Sequence, residues 1–163
     1  MKQASIRRAI ASGNWMLRRE GPGGVGRRGF QWAPVGEWTT APDWDPEPVC
    51  GGGLHGVNHL AAGYMTSGAD VVFCETRGPQ VVIDREKVKV ESARRLAVND
   101  LSACDGMSVA GSLHLSGCSS LTALPEGLSV GWWLNLSGCS ISAESLAAFR
   151  ERNPKCLVYQ WEV

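Results

Sequence analysis

Cys50, His55 and His59 follow one another as C-x4-H-x3-H, and Cys74 lies 15 residues further on. Thiolate and imidazole are ligands that zinc favours, and four of them converging as a tetrahedron, with Zn–S bonds of about 2.3 Å, would make a structural metal site. The spacing is not that of a standard zinc finger. Cys50 and His55 offer a second chemistry, a thiol nucleophile with an imidazole base. That pair works only if the ring comes within hydrogen-bond reach and something favours the thiolate. Gly51-Gly52-Gly53 lies between the two and lets the backbone fold back. Three glycines suit a tight turn with positive φ angles. Their amides could also cradle a phosphate, although the Lys-Ser/Thr of a P-loop is missing. Nothing names an oxyanion hole or a third catalytic member. No catalytic residue, metal or cofactor is therefore assigned from the sequence. The spatial relation of Cys50, His55, His59 and Cys74 is left for the structure.

The elements that must position these residues lie in a non-repeating segment, residues 1–95. "QASIRRAIA" predicts a short helix with Ile6 and Ile10 four apart. "WMLRRE" and "RRGFQWAP" predict two strands around the loop "GPGGVG". "TTAPDWDPEP", with three prolines in ten residues, predicts an extended loop. "HLAAGYMTSGA" is compatible with a short helix. "DVVFCE" and "QVVIDREKVKVE" are rich in β-formers, with Gly78-Pro79 as the turn between them. The expectation is a small α+β head whose Val88 and Val90 run through "SARRLAV" into residues 96–163 as one continuous body.

Bulk properties narrow the classes. The 163 residues carry zero net charge, so no whole-molecule field draws the chain to nucleic acid or membrane. No apolar run approaches the ~20 residues of a bilayer span. "MKQASIRRAIASGNWMLRRE" has no apolar h-region, so no secretory signal and a cytoplasmic location are expected. The six cysteines form no CxxC pair and are read as reduced, mostly buried thiols. Lys2, Arg7, Arg8, Arg18, Arg19, Arg27 and Arg28 outweigh Glu20 in residues 1–30, whereas residues 31–60 carry only Glu37, Asp43, Asp45 and Glu47. The two segments are expected to neighbour and neutralise each other.

"LHLSGCS" at 113–119 returns as "LNLSGCS" at 134–140, a period of 21 residues. Fixed periods of this size mark stacked coils. The pattern Leu113-x-Leu115-x-x-Cys118-x-x-Leu121 resembles the bacterial leucine-rich repeat. That resemblance implies a short parallel-strand solenoid over 96–163. Leu113, Leu115, Leu134 and Leu136 would point inward, since alternate strand residues face opposite sides. Leu96 and Val98 would belong to a preceding coil. Ser142 would cap a helix "AESLAAFRERN", and "CLVYQW" would form a last strand, together the capping lid. The outward residues would be Ala97 and Asn99, then Ser112, His114 and Ser116, then Trp133, Asn135 and Ser137. That face is the expected partner-binding surface, with Trp133 as anchor. His114 is read as a polar surface residue, because the pattern places no acid or nucleophile beside it.

"GRRGFQWAPVGEWTTAPDWDPEPVCGGGLHG" resembles an uncharacterised domain of bacteriophage and actinobacterial proteins, through its Gly-Phe-x-Trp strand, "APDWDP" loop and "CGGGLHG" motif. That likeness, over roughly residues 25–95, implies an origin rather than a reaction. A "GLH" segment, then Ala62 and Tyr64, then a valine-rich strand resembles the middle of ADP-ribosyltransferases, with His55 in place of their tyrosine. The leading expectation is a non-enzymatic binding or inhibitory accessory protein of phage, prophage or bacterial origin, whose partner is another protein. The alternative is an enzyme acting on NAD or another nucleotide through His55 with Cys50 or Glu75. Leu136→Ala is expected to lower unfolding free energy by about 2–5 kcal/mol; urea denaturation checks it, and a change below about 1 kcal/mol would place this leucine outside the core.

Overall fold

The computed structural model describes residues 2–59, 68–85 and 87–161. The helix expected over "HLAAGYMTSGA", with Ala62 and Tyr64, falls outside them. The chain begins with α1 (Lys2–Ser12) and β1 (Trp15–Glu20), then a 3-10 turn (Arg27–Gly29) and β2 (Trp38–Thr40). Next come β3 (Leu54–Val57), β4 (Asp70–Arg77), β5 (Val81–Asp84), β6 (Lys87–Val90) and β7 (Ser92–Val98). After a second 3-10 turn (Ser102–Cys104) follow the short strands β8 (Ser108–Val109), β9 (Leu113–His114), β10 (Ser129–Val130) and β11 (Trp133–Asn135). Helix α2 (Ala143–Arg152) and β12 (Leu157–Tyr159) complete it.

Seven strands join in the order β2-β7-β4-β1-β3-β6-β5. Every neighbouring pair in that sheet is antiparallel. Its two faces follow from strand alternation. Leu17, Val71 and Phe73 point to one side, where they meet Ile6 and Ala9 of α1 and the leucines of the C-terminal part. Met16, Val72 and Cys74 point to the other, among Trp32, Leu54, Val88, Val90 and Ala93. Burial on both sides explains why the centre of β4, "VVFC", is an unbroken apolar run.

The expected fold class is corrected here. The described residues form mostly an antiparallel sheet with two short helices; among them the parallel strands form only one two-stranded and one three-stranded sheet, and no solenoid is present. "SARRLAV" does not open a first coil. It is β7, held between β2 and β4 inside the large sheet. Its register slips against β4, with Phe73 opposite Ala97 and Cys74 opposite Arg95. Leu96 is thus the extra residue of a bulge, which lets Leu96 and Ala97 both enter the core. Ala97 is therefore buried, not outward-facing.

The repeated stretches still lie side by side. Leu113 pairs with Leu134 and His114 with Asn135 in parallel register. Leu113, Leu115, Leu134 and Leu136 have no exposed surface. β12 pairs with β11 and is the outer strand of the three-stranded sheet; among the described residues no further strand pairs with it, so the expected lid leaves that edge open there. Ser142 caps α2, accepting from the Ser145 N–H at 3.2 Å. Arg19 fastens the two parts, donating to Gly68 O and Ser116 O, both at 2.8 Å.

Three other expectations change. "RRGFQWAP" is a 3-10 turn plus a single bridge, Val25 to Gln31, because Arg28 takes a positive φ of 59°. In α1, Ile6 and Ala9 form the buried face and Ile10 is exposed. Gly78-Pro79 does not turn β4 back onto β5, which instead pairs β6 at the far edge.

Charge is buried too. Glu20, 1% exposed, stands 3.1 Å from Arg18 Nε and 3.1 Å from Arg95 Nε. Removing one member of such a set strands the others without water. Glu20→Ala is expected to cost about 3–5 kcal/mol in urea denaturation. A cost below about 1 kcal/mol would mean that these charges are reached by solvent.

Candidate functional site

A cavity of about 550 Å³ opens where the glycine loop meets the 3-10 turn. It is in the size range of small-molecule sites. Its floor is Cys50–Leu54 and His55, and its walls include Arg18, Arg27, Arg28, Phe30, Trp32 and Lys87. The positive φ angles of Gly51 (107°), Gly52 (56°) and Gly53 (147°) are ones that only glycine adopts readily across three successive residues. A Cβ at Gly52 would stand 2.6 Å from Asp45 Cβ.

A fully buried lysine shapes that loop. Lys89 Nζ donates to Val49 O at 3.0 Å and to Gly51 O at 2.9 Å. The ammonium draws both carbonyls to itself. In a trans peptide the N–H points opposite to the C=O. The N–H groups of Cys50 and Gly52 therefore turn away from Lys89, and neither donates to another described residue.

Arg18 forms the inner wall. Its guanidinium lies 4.1 Å from the Trp32 ring centre, and Nη1 donates to His55 O at 3.1 Å. Phe30 meets Trp32 edge to face at 6.0 Å. Arg27 and Arg28 make no ion pair among the described residues. Among the described residues, Lys2, Arg8 and Arg18 of the basic start pair not with residues 31–60 but with Asp100, Glu75 and Glu20 respectively.

The four sequence candidates separate. Cys50 and His55 share the cavity. Cys74 is fully buried beneath the sheet, and burial pushes its thiol up to about 12. His59 is exposed and does not line the cavity. Among the described residues no group of three or more His, Cys, Asp or Glu could hold a metal. His55 Nε2 accepts a long 3.4 Å bond from the Gly51 N–H, and Lys87 Nζ stands 3.4 Å from Cys50 Sγ. Glu75 is held by Arg94 at 2.6 Å and Arg8 at 3.3 Å and does not reach this cavity. All six cysteines are free.

The second surface lies on the three-stranded sheet. Trp133 is its centre, edge-on to His114 at 4.3 Å and to Tyr159 at 5.8 Å. Asn135 is half-buried, and its Oδ1 accepts from the Ser137 N–H at 3.0 Å. Ser116 O is taken by Arg19, and the Ser112 hydroxyl is buried with no partner. Asn99 is not part of this face: it sits at the end of β7 and its Oδ1 accepts from the Val71 N–H. Sequence reasoning missed the neighbours that make the surface large. Trp132 is 70% exposed, Trp161 69% and Leu157 62%. The signal was the alternation in "LVYQW", where Leu157, Tyr159 and Trp161 share one side and Val158 packs inward.

Comparison with family models, with curated proteins and with solved structures finds no match. Among the described residues no helix is long and apolar enough to cross a membrane.

His55 gives the cavity a pH dependence. Burial, then the ammonium groups of Lys87 and Lys89, hold its imidazole below the ordinary histidine value, against a smaller opposing bond to the Gly53 backbone. Below about pH 6.5 the unfolded chain then takes up a proton that the folded chain resists, so stability falls as pH falls. Wild type is expected to lose more stability than His55→Gln between pH 7.5 and 5.5, read by urea denaturation. Parallel losses would show that His55 is not held neutral.

Proposed function

We propose that this chain is a binding protein, and that an extended, apolar segment of another protein adds to its open sheet edge at β12. What supports the reading is one observation above the rest: an uncharged edge strand that carries exposed aromatic side chains. Leu157 N donates to Trp132 O, while Tyr159 O and Trp161 O accept from Leu136 and Gly138. Alternate residues of a parallel strand bond to the same neighbour. Val158 and Gln160 therefore turn their main-chain groups to the open side.

Soluble proteins usually blunt such an edge with lysine, proline or a bulge. The stretch Leu157–Trp161 contains no charge and no proline. A contiguous apolar surface of this kind marks an interaction site on a protein surface. In strand addition, main-chain bonds give affinity and alternate side chains give specificity. Tyr159 on the edge strand, with Trp133 edge-on behind it, offers rings to the incoming side chains, and Trp161 continues the exposed row. Tryptophan and tyrosine are the residues most enriched among energetic anchors of interfaces.

A random-peptide display selection tests this. Selected peptides are expected to alternate apolar residues. Their affinity should fall at least tenfold for Trp161→Ala and for Gln160→Pro, which removes an edge donor at an exposed position, with unchanged circular dichroism. No selected peptide, or equal affinity in Gln160→Pro, would overturn the reading. A concentration-dependent dimer abolished by Gln160→Pro would also overturn it, by giving the edge to a second copy.

A further inference from the structure

We propose that the cavity above Cys50–Gly53 is a separate binding site for a small organic phosphate, a phosphate monoester with a flat or apolar body. It shares no residue with the sheet edge and does not depend on how that edge is read.

The charge argument comes first. Arg18, Arg27, Arg28 and Lys87 line the cavity against one carboxylate, Asp43. Arg18 is matched by Glu20. Arg27, Arg28 and Lys87 have no acidic partner among the described residues. Like charges gathered around a concave surface repel one another and raise the local potential, which favours an anion. Three free cations fit a dianion better than a single carboxylate.

The main chain adds directed donors. The Lys89 clamp on Val49 O and Gly51 O leaves the Cys50 and Gly52 N–H groups without a described acceptor. Main-chain amides held in a turn form concavities suited to phosphate oxygens, and here the two open N–H groups flank Gly51, whose own N–H goes to His55 Nε2. Arg28 is held at a φ of 59°, an uncommon conformation for arginine, on the 3-10 turn that overlooks the same space. Residues held in such sparsely populated backbone conformations cluster at ligand clamps.

The remaining wall is apolar. Phe30, Pro42 and Leu54 face the cavity beside the buried Trp32. An inorganic ion would leave that wall wet. A ring attached to the phosphate would cover it, with Phe30 as its contact. Burial and the Lys87 and Lys89 ammonium groups disfavour the charged form of His55, so it suits a hydrogen-bonding role here better than that of a fourth cation.

Cys50 supplies a readout at the site, because it is exposed while Cys74, Cys104 and Cys118 are buried. Iodoacetamide labelling of the full chain, read by peptide mass, is run with phenyl phosphate, adenosine 5′-monophosphate, inorganic phosphate or benzoate. Phenyl phosphate or adenosine monophosphate at millimolar concentration is expected to slow Cys50 labelling at least threefold, with labelling of Cys139 and Cys156 unchanged. Calorimetric affinity should fall about tenfold or more in Arg27→Gln and in Lys87→Gln, the loss expected for one charge-assisted bond. Arg28→Asn, which suits the positive φ, should do the same while the fold is kept. Absence of protection, equal binding of benzoate, equal binding of inorganic phosphate, or unchanged affinity in all three variants would each overturn the proposal.

Discussion

A carboxylate with almost no contact with water cannot stand alone, and Glu20 is the carboxylate around which the head of this protein is arranged. Taking an ion out of water costs several kcal/mol unless partners replace the solvent. Arg18 and Arg95 do so from either side of Glu20, one on the same strand and one on β7. Each guanidinium then needs further acceptors. Arg18 finds His55 O, and Arg95 finds Ala33 O at 3.1 Å. The set is closed over by the loop "GPGGVG", and the glycines are what permit the approach. A Cβ at Gly24 would stand 2.6 Å from Arg95 Nη1, and one at Gly26 would stand 3.2 Å from Arg18 Nη2. The glycine run is thus a cover fitted to buried charge, and the cavity wall lies where that cover ends.

Lys89 repeats the logic on the neighbouring strands. It has no carboxylate partner among the described residues, and two carbonyls take that place. An irregular loop has no ladder to bind its polar groups. A buried ammonium binds them instead and so fixes which way the remaining amides face. The head therefore builds two of its long loops on charges hidden in the sheet, and both loops border one space.

Much of the local structure was legible. "WMLRRE", "DVVFCETR" and "KVKV" are strands because their apolar alternation and β-branched content admit little else. α2 was legible from Ser142, Glu144 and the buried pair Leu146 and Phe149. What the residues did not disclose is which strand meets which. β4 pairs with β1, more than fifty residues earlier, and ignores β5 just beyond Gly78-Pro79. "SARRLAV" misled for a related reason. A coil rung and a central sheet strand both want small apolar residues in alternation, so likening its last residues, Leu96 to Val98, to a preceding coil does not tell the two apart. The long-range pairing with "DVVFCETR" decides, and the Leu96 bulge that accommodates it leaves no mark in the sequence. The cavity was half legible: Cys50, the glycines and His55 stood out, while Arg27, Arg28, Phe30 and Lys87 reach it from segments that only the fold brings near.

The last strand shows how one pattern supports opposite conclusions. "LVYQW" was read as part of a lid, because a stack of coils needs its end covered. A lid would place polar groups outside. Here Leu157, Tyr159 and Trp161 face out and only Val158 packs inward, so the strand extends the exposed surface. The single strand β1 borders the cavity on one side and shares the leucine core on the other. Its Arg18 and Glu20 point to the charged side, while Leu17 and Arg19 point to the C-terminal part, where Arg19 donates to Ser116 O beside the stretch that leads to β11. Alternation along six residues therefore separates two chemically different environments. One is built on ions that must be matched, the other on leucines that must be hidden, and a shift of one residue in β1 would ruin both at once.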